Sequence, residues 1–128
     1  MDRLAEYLAT LGAFNWATFN CCHYVAGWLV MNGEPDPMRG FPATPSLRAA
    51  RRLVREHGGI INLVSKQLGR SSIATALAQV GDIVHFQLDG SGFTLGICNG
   101  RESICIDERG FVAFVPTLGG SCAWRLKA

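Results

Sequence analysis

The spacing of hydrophobic positions changes near residue 80. Before this point apolar residues recur every three or four positions, which is typical of amphipathic helices; after it they alternate with polar ones, which is typical of strands. The first segment, 2–11, places Leu4, Leu8 and Leu11 on one helical face and is followed by Gly12. The pattern therefore predicts a short N-terminal helix that ends at the glycine.

The most strongly marked helix is predicted from Cys21 to Met31. Asn20 stands immediately before it and is a good N-cap, because its side-chain oxygen can accept backbone N–H groups of the first turn. Asn32-Gly33 follows as a C-terminal signal. Apolar residues at helical spacing predict that one face is buried in the core.

Three further segments precede the change of period. Residues 34–45 hold four of the five prolines and are expected to form an ordered loop anchored by Met38 and Phe41. Residues 46–57 predict a basic helix capped by Ser46 and closed by Gly58-Gly59. Its inward positions are expected to be Leu47, Ala50, Leu53 and Val54. Residues 60–68 fit a strand or a helix, and 73–78 fit a short helical turn.

The second part of the chain predicts five strands. They are expected at 83–87, 93–98, 102–106, 111–115 and 122–126, with turns at 89–92, 99–100 and 108–110. Helices first and strands afterwards indicate an α+β fold, with the strands in an antiparallel meander. A chain of 128 residues is expected to form a single domain, 1–128.

Composition narrows the classes of function. A net charge of +2, without a basic stripe, argues against a nucleic-acid partner. No apolar run reaches the roughly 18 residues of a membrane span, and the N-terminus has no signal-peptide pattern, so we expect synthesis in a cytoplasm. The five cysteines are an odd number and include no C-x-x-C spacing. We therefore expect neither a disulfide framework nor a zinc site, and no cofactor.

Cys21 and Cys22 lie in the predicted first turn of the central helix. Unpaired N–H groups and the helix dipole favour negative charge there, so a thiol at this place has a lowered pKa and becomes a nucleophile. The alternative interpretation is that these small side chains fill the core, since free cysteine is among the most buried residue types.

Three short motifs carry a resemblance to a known family. They are Phe19-Asn20-Cys21-Cys22-His23 at the helix start, Gly81-Asp82-Ile83-Val84 at the first strand, and Thr94-Leu95-Gly96-Ile97 in the second. In this order they resemble the papain-like cell-wall cysteine peptidases of the NlpC type. The resemblance covers about residues 13–107 and implies a papain-like fold.

The chain is also similar to small phage proteins from the tail region. Arg39-Gly40 after the central helix and Ala123-Trp124-Arg125 near the C-terminus fit their pattern. This resemblance implies a tail-tip or tail-assembly protein that is made in the host bacterial cytoplasm and then enters the virion. Its expected partners are other tail proteins and, if it is an enzyme, peptidoglycan.

The resemblance also assigns the catalytic positions. It places Cys21 at the nucleophile, Thr94 at the base and Cys105 at the orienting position. Threonine does not take a proton from a thiol at neutral pH, and cysteine orients poorly, so the site is expected to be degenerate. His85 is the possible substitute base; strand alternation points it either toward the helix start or to solvent. His23 should diverge from Cys21, and His57 should be exposed.

Three hypotheses follow. The first is a phage tail component on a degenerate peptidase scaffold, acting through protein contacts made by the loops 34–45 and 116–121. The second is an active peptidase or amidase on peptidoglycan, with Cys21 as nucleophile and His85 as base. The third is a thiol-based metal-binding or redox protein, using cysteines of the central helix together with Cys98, Cys105 and Cys122.

Overall fold

The computed structural model describes residues 3–15, 20–88, 92–107, 109 and 112–126. The described helices are α1 (Arg3–Ala9), α2 (Cys21–Met31), α3 (Leu47–Glu56) and α4 (Ile60–Leu68). The described strands are β1 (Ile83–Gln87), β2 (Phe93–Cys98), β3 (Glu102–Ile106), β4 (Val112–Pro116) and β5 (Cys122–Trp124). Short 3-10 turns lie at Thr75–Leu77 and Thr117–Gly119. The α+β class is confirmed. The predicted turns at 89–92 and 108–110 lie mostly outside the described residues.

The strands form one antiparallel sheet in the order β4-β3-β2-β1-β5. The predicted meander holds for β1 to β4 but is wrong for β5, which crosses to the opposite edge and pairs with β1. The crossing is possible because Gly120 passes close to β1: a Cβ there would lie 2.6 Å from Val84 and 2.9 Å from the carbonyl oxygen of His85. Only glycine allows this approach.

Helix α2 begins where its N-cap predicts. The Asn20 side chain accepts from the N–H groups of Cys22 at 2.9 Å and His23 at 3.2 Å. In return, the His23 ring accepts at Nδ1 from the Asn20 N–H at 3.3 Å. This reciprocal capping box satisfies N–H groups that the first turn leaves without helical partners.

Buried aromatic side chains hold α2 on the sheet. The Tyr24 hydroxyl donates to the carbonyl oxygen of Ile104 in β3 at 2.8 Å. Trp28 donates from Nε1 to the carbonyl oxygen of Gly81, just before β1, also at 2.8 Å. Both residues belong to the main hydrophobic core together with Leu95 and Ile97 of β2. The first turn of α2 is thereby placed over the middle of the sheet.

The Gly81-Asp82 motif has a structural role. Asp82 is 1% exposed, and its carboxylate accepts from the N–H groups of Gln79 at 2.8 Å and Leu126 at 2.7 Å. Gly81 adopts φ +98, which only glycine tolerates readily. The motif therefore ties the segment before β1 to the segment after β5.

The helices before the sheet differ from the prediction at Leu47, and they show which element residues 60–68 form. Leu47, predicted to face inward, is 39% exposed, and α3 has no fully buried residue. Its inner face lies instead along a cavity described below. Residues 60–68 form helix α4, which ends at left-handed Gly69. The loop 34–45 is ordered, as predicted: Glu34 pairs with Arg70 at 2.7 Å.

No helix within the described residues is both long and apolar enough to cross a membrane.

Candidate functional site

Cys21 is the first residue of α2 and is partly exposed. Its sulfur accepts a hydrogen bond from the Cys22 thiol, which is the largest cause of its lowered pKa. Burial opposes this effect, and backbone N–H groups of Leu95, Cys21 and Cys22 reinforce it. The thiolate is therefore stabilised by a neighbouring thiol and by main-chain donors.

The same hydrogen bond acts in the opposite direction on Cys22. Its pKa is raised well above the ordinary value by the contact with Cys21 and by burial. Two coupled thiols of this kind lose their protons in separate steps. Cys21 is consequently the member that ionises, and Cys22 keeps its proton as the donor. The adjacent cysteines were visible in the sequence, but this division of roles was not.

A gap in strand pairing frees the Leu95 amide. The ladder between β2 and β3 pairs Gly96, Ile97 and Cys98, and it stops before Leu95. The first turn of α2 lies at this place, so the Leu95 N–H reaches the Cys21 sulfur instead of a strand partner. Sequence reasoning missed this donor because it depends on where a ladder ends.

An apolar cavity of about 90 Å³ adjoins the two thiols. It lies between the start of α2, helices α3 and α4, the loop 37–44 and the sheet. Its walls include Val25, Met38, Phe41, Leu53, Phe93 and Leu95. The predicted anchors Met38 and Phe41 thus line this cavity. Sequence analysis did not foresee it, because four distant segments have to meet.

The structure does not bring Thr94 to the cavity. Phe93 and Leu95 line the cavity, and Thr94 between them faces the other side of the sheet, where its partner Phe86 belongs to a second core cluster. Thr94 therefore supplies none of the hydrogen bonds that stabilise the Cys21 thiolate.

Cys105 also belongs to the second core cluster. It is 2% exposed and pairs with Gly96. Burial raises its pKa to about 12, with a further contribution from the negative charge of Cys21. A thiol in this state stays protonated at neutral pH. The negative charge of Cys21 therefore affects the pKa of Cys105. Cys105 itself is buried in the second core cluster, and no described histidine is placed beside it to be oriented as a base.

His85 faces the α2 side of the sheet, not solvent. It is 1% exposed and lies directly opposite Leu95 of β2 and Cys122 of β5. Neither ring nitrogen has a hydrogen-bond partner among the described residues, and burial lowers the pKa of the imidazole. Its ring stacks on Phe93 at 6.0 Å between centroids. Since Phe93 is a cavity wall, His85 lies behind that wall.

The other two histidines have different surroundings. His23 is half-buried and takes part in the capping box; burial lowers its pKa, partly offset by Asp36. His57, expected to be exposed, is half-buried with its ring 5.5 Å from that of Phe41. The expectation was wrong because the loop 34–45 packs back onto the end of α3.

The cysteines do not converge on one point. Cys98 and Cys105 lie on the face of the sheet opposite α2, whereas Cys122 faces the α2 side and hydrogen-bonds with Ser72. All five are free thiols. Within the described ranges, no set of three or more His, Cys, Asp or Glu side chains is arranged to hold a metal ion.

Comparison with known proteins places the chain in a family. The model of a domain of unknown function, DUF6950, matches residues 1–126, so the chain belongs to the DUF6950 family. No curated protein and no solved structure matches the chain.

Proposed function

We propose that this domain has a papain-like fold of the NlpC type and works in a phage tail, as a tail-tip or tail-assembly component. Its scaffold resembles cell-wall cysteine peptidases, and its main activity is contact with other tail proteins. The support is the order of parts: a cysteine opening the central helix, Gly81-Asp82 before β1, and Thr94 to Ile97 within β2.

The observation that carries this proposal is the set of groups around Cys21. Its thiolate is stabilised by the Cys22 thiol and by backbone amides, while Thr94 faces away from the cavity. Amide cleavage needs a group that gives a proton to the leaving amine. Neither main-chain N–H groups nor a high-pKa thiol does this efficiently. Among the described residues, the site therefore has a stabilised thiolate and no acid–base group positioned beside it.

Exposed apolar side chains in the segment 112–118 support a contact role. Leu118, in the predicted contact loop 116–121, is 73% exposed, and Phe114 and Val112 on the edge strand β4 are 60% and 44% exposed. Edge strands with exposed apolar side chains are ready to pair with another chain. The other predicted loop, 34–45, directs Met38 and Phe41 into its own cavity. The segment 112–118 is thus the better contact candidate.

The test is incorporation of the chain into purified phage particles, measured by quantitative mass spectrometry. The double variant Phe114→Ser with Leu118→Ser should be lost from particles, while circular dichroism of the isolated protein stays unchanged. Val30→Ser alters a valine of α2 that is 47% exposed and lies outside the segment 112–118, and it is the control. Particles that assemble without the chain, or that incorporate the double variant normally, would refute the contact role.

A second candidate is an active cysteine peptidase or amidase that cleaves peptidoglycan. Two observations favour it: the lowered pKa of Cys21, and the buried His85, which lies on the same face of the sheet as Leu95 and has no hydrogen-bond partner in the part of the chain that the structure describes. Cys21 would pass its proton to the neutral His85, the thiolate would attack the amide carbonyl, helix-start N–H groups would hold the oxyanion, and His85 would give that proton to the departing amine. Water would then hydrolyse the thioester.

Incubation with purified peptidoglycan separates the two candidates. An active enzyme releases new amino groups, and both Cys21→Ala and His85→Ala abolish that release. Our first proposal predicts no release above the level of the Cys21→Ala variant.

A further inference from the structure

The cavity beside Cys21 has the properties of a binding pocket. Its surface is almost entirely apolar, and it adjoins the sulfur that ionises first. Met38 and Phe41 close it from the loop, and Leu53 from α3. Well-packed interiors rarely leave a void of this size, and ligand sites are typically apolar clefts with a few placed polar groups.

The volume limits the occupant. An apolar cavity of roughly 150 Å³ holds one benzene molecule. A cavity of about 90 Å³ is therefore suited to an aliphatic group of about three to five carbons. This is the size of a valine or leucine side chain, and a fatty acyl chain would not fit.

We infer that the cavity binds one aliphatic side chain of a peptide and presents the adjoining main chain to the Cys21 sulfur. Two polar groups beside Cys21, the Cys22 thiol and the Leu95 N–H, are engaged with its sulfur and do not compete for the ligand. The inference rests on the part of the proposed function that gives Cys21 a stabilised thiolate, and it adds the class of group that the scaffold recognises.

N-alkylmaleimides provide the test, because the thiolate adds to the C=C bond, the carbanion takes a proton from water, and only the alkyl chain differs. Second-order rates at Cys21 are measured by mass spectrometry with methyl, propyl, isobutyl and octyl reagents, each divided by its rate with glutathione. Burying two more methylenes should raise the propyl rate about tenfold over methyl. The octyl rate should fall back toward the methyl rate.

Filling the pocket gives a matched comparison. Ala50→Leu places a larger side chain in the cavity wall and should remove the preference for propyl over methyl. Ala49→Leu makes the same change on α3 at a position that does not line the cavity, and should keep the preference. Circular dichroism reports whether each variant folds; if Ala50→Leu does not, the chain-length series of the unmodified protein decides.

Each failure has its own meaning. Equal normalised rates for all reagents would refute binding of the alkyl group in the cavity, but they would be consistent with a stabilised Cys21 thiolate. A normalised rate that keeps rising to octyl would refute the proposal that the ligand is a peptide side chain and would indicate a lipid chain instead. Absence of labelling by every reagent would overturn both the pocket and the stabilised thiolate.

Discussion

Replacing Asp82 by alanine should remove one of the main ties of the fold. Its carboxylate accepts from the amides of Gln79 and Leu126, and hydrogen bonds to a charged group contribute about 1.5–3 kcal/mol each. Arg125 lies 3.9 Å away and is 41% exposed, so we add nothing for it. Water can partly replace the carboxylate at Gln79, which is exposed. Two such bonds together contribute about 3–6 kcal/mol, and we expect the free energy of unfolding to fall by about 3 kcal/mol, the lower end of that sum.

Guanidinium unfolding followed by tryptophan fluorescence measures this loss, since Trp28 and Trp124 are buried. Asp82→Asn keeps one carbonyl acceptor and should lose about half as much. Asp36→Ala is the control, because Asp36 is exposed and its side chain accepts a local bond from the Met38 N–H; it should lose less than about 1 kcal/mol. An Asp82→Ala variant as stable as Asp36→Ala would refute a structural role for the Gly81-Asp82 motif.

Three further predictions concern α2, β2 and β1. Asn20→Ala removes the N-cap and should cost about 1 kcal/mol in thermal unfolding, whereas Asn20→Asp should cost little. Gly96→Ala places a Cβ 2.6 Å from the Cys105 sulfur and 3.2 Å from a β3 carbonyl oxygen, so it should lower the melting temperature strongly, and added Cys105→Ala should restore part of it. Burial lowers the pKa of His85, so the unfolded chain binds its proton more readily; stability should be intact above about pH 6.5 and decline below it. His85→Phe should reduce that decline in denaturation curves between pH 5 and 7.5, and an unchanged decline would contradict a buried neutral imidazole.

Local signals made much of the fold predictable. The bounds of α2 follow from Asn20 before it and Asn32-Gly33 after it, and the structure reproduces both. Alternation gave β1, β2 and β3 with their observed bounds. These elements depend on a few neighbouring residues, so the chain sequence is sufficient to place them.

Features that depend on distant segments were not predictable. The position of β5 depends on Gly120 passing His85, and the exposure of Leu47 depends on a cavity that α3 borders instead of a packed core. Alternation gave His85 two possible directions, and only packing against Phe93 decides between them. In the site, the helix start predicted the lowered pKa of Cys21, but the Leu95 donor depends on the assembled sheet, and the role of Cys22 as a donor was not visible in the sequence.

The most direct test of the site is the rate of Cys21 alkylation by iodoacetamide against pH, measured by mass spectrometry. The structure predicts an apparent pKa below the ordinary thiol value of about 8.5, because Cys22 and backbone amides stabilise the thiolate. The profile should be unchanged in His85→Ala and should shift to higher pH in Cys22→Ala. A profile that shifts in His85→Ala but not in Cys22→Ala would contradict this account, because it would show that His85, and not Cys22, stabilises the Cys21 thiolate.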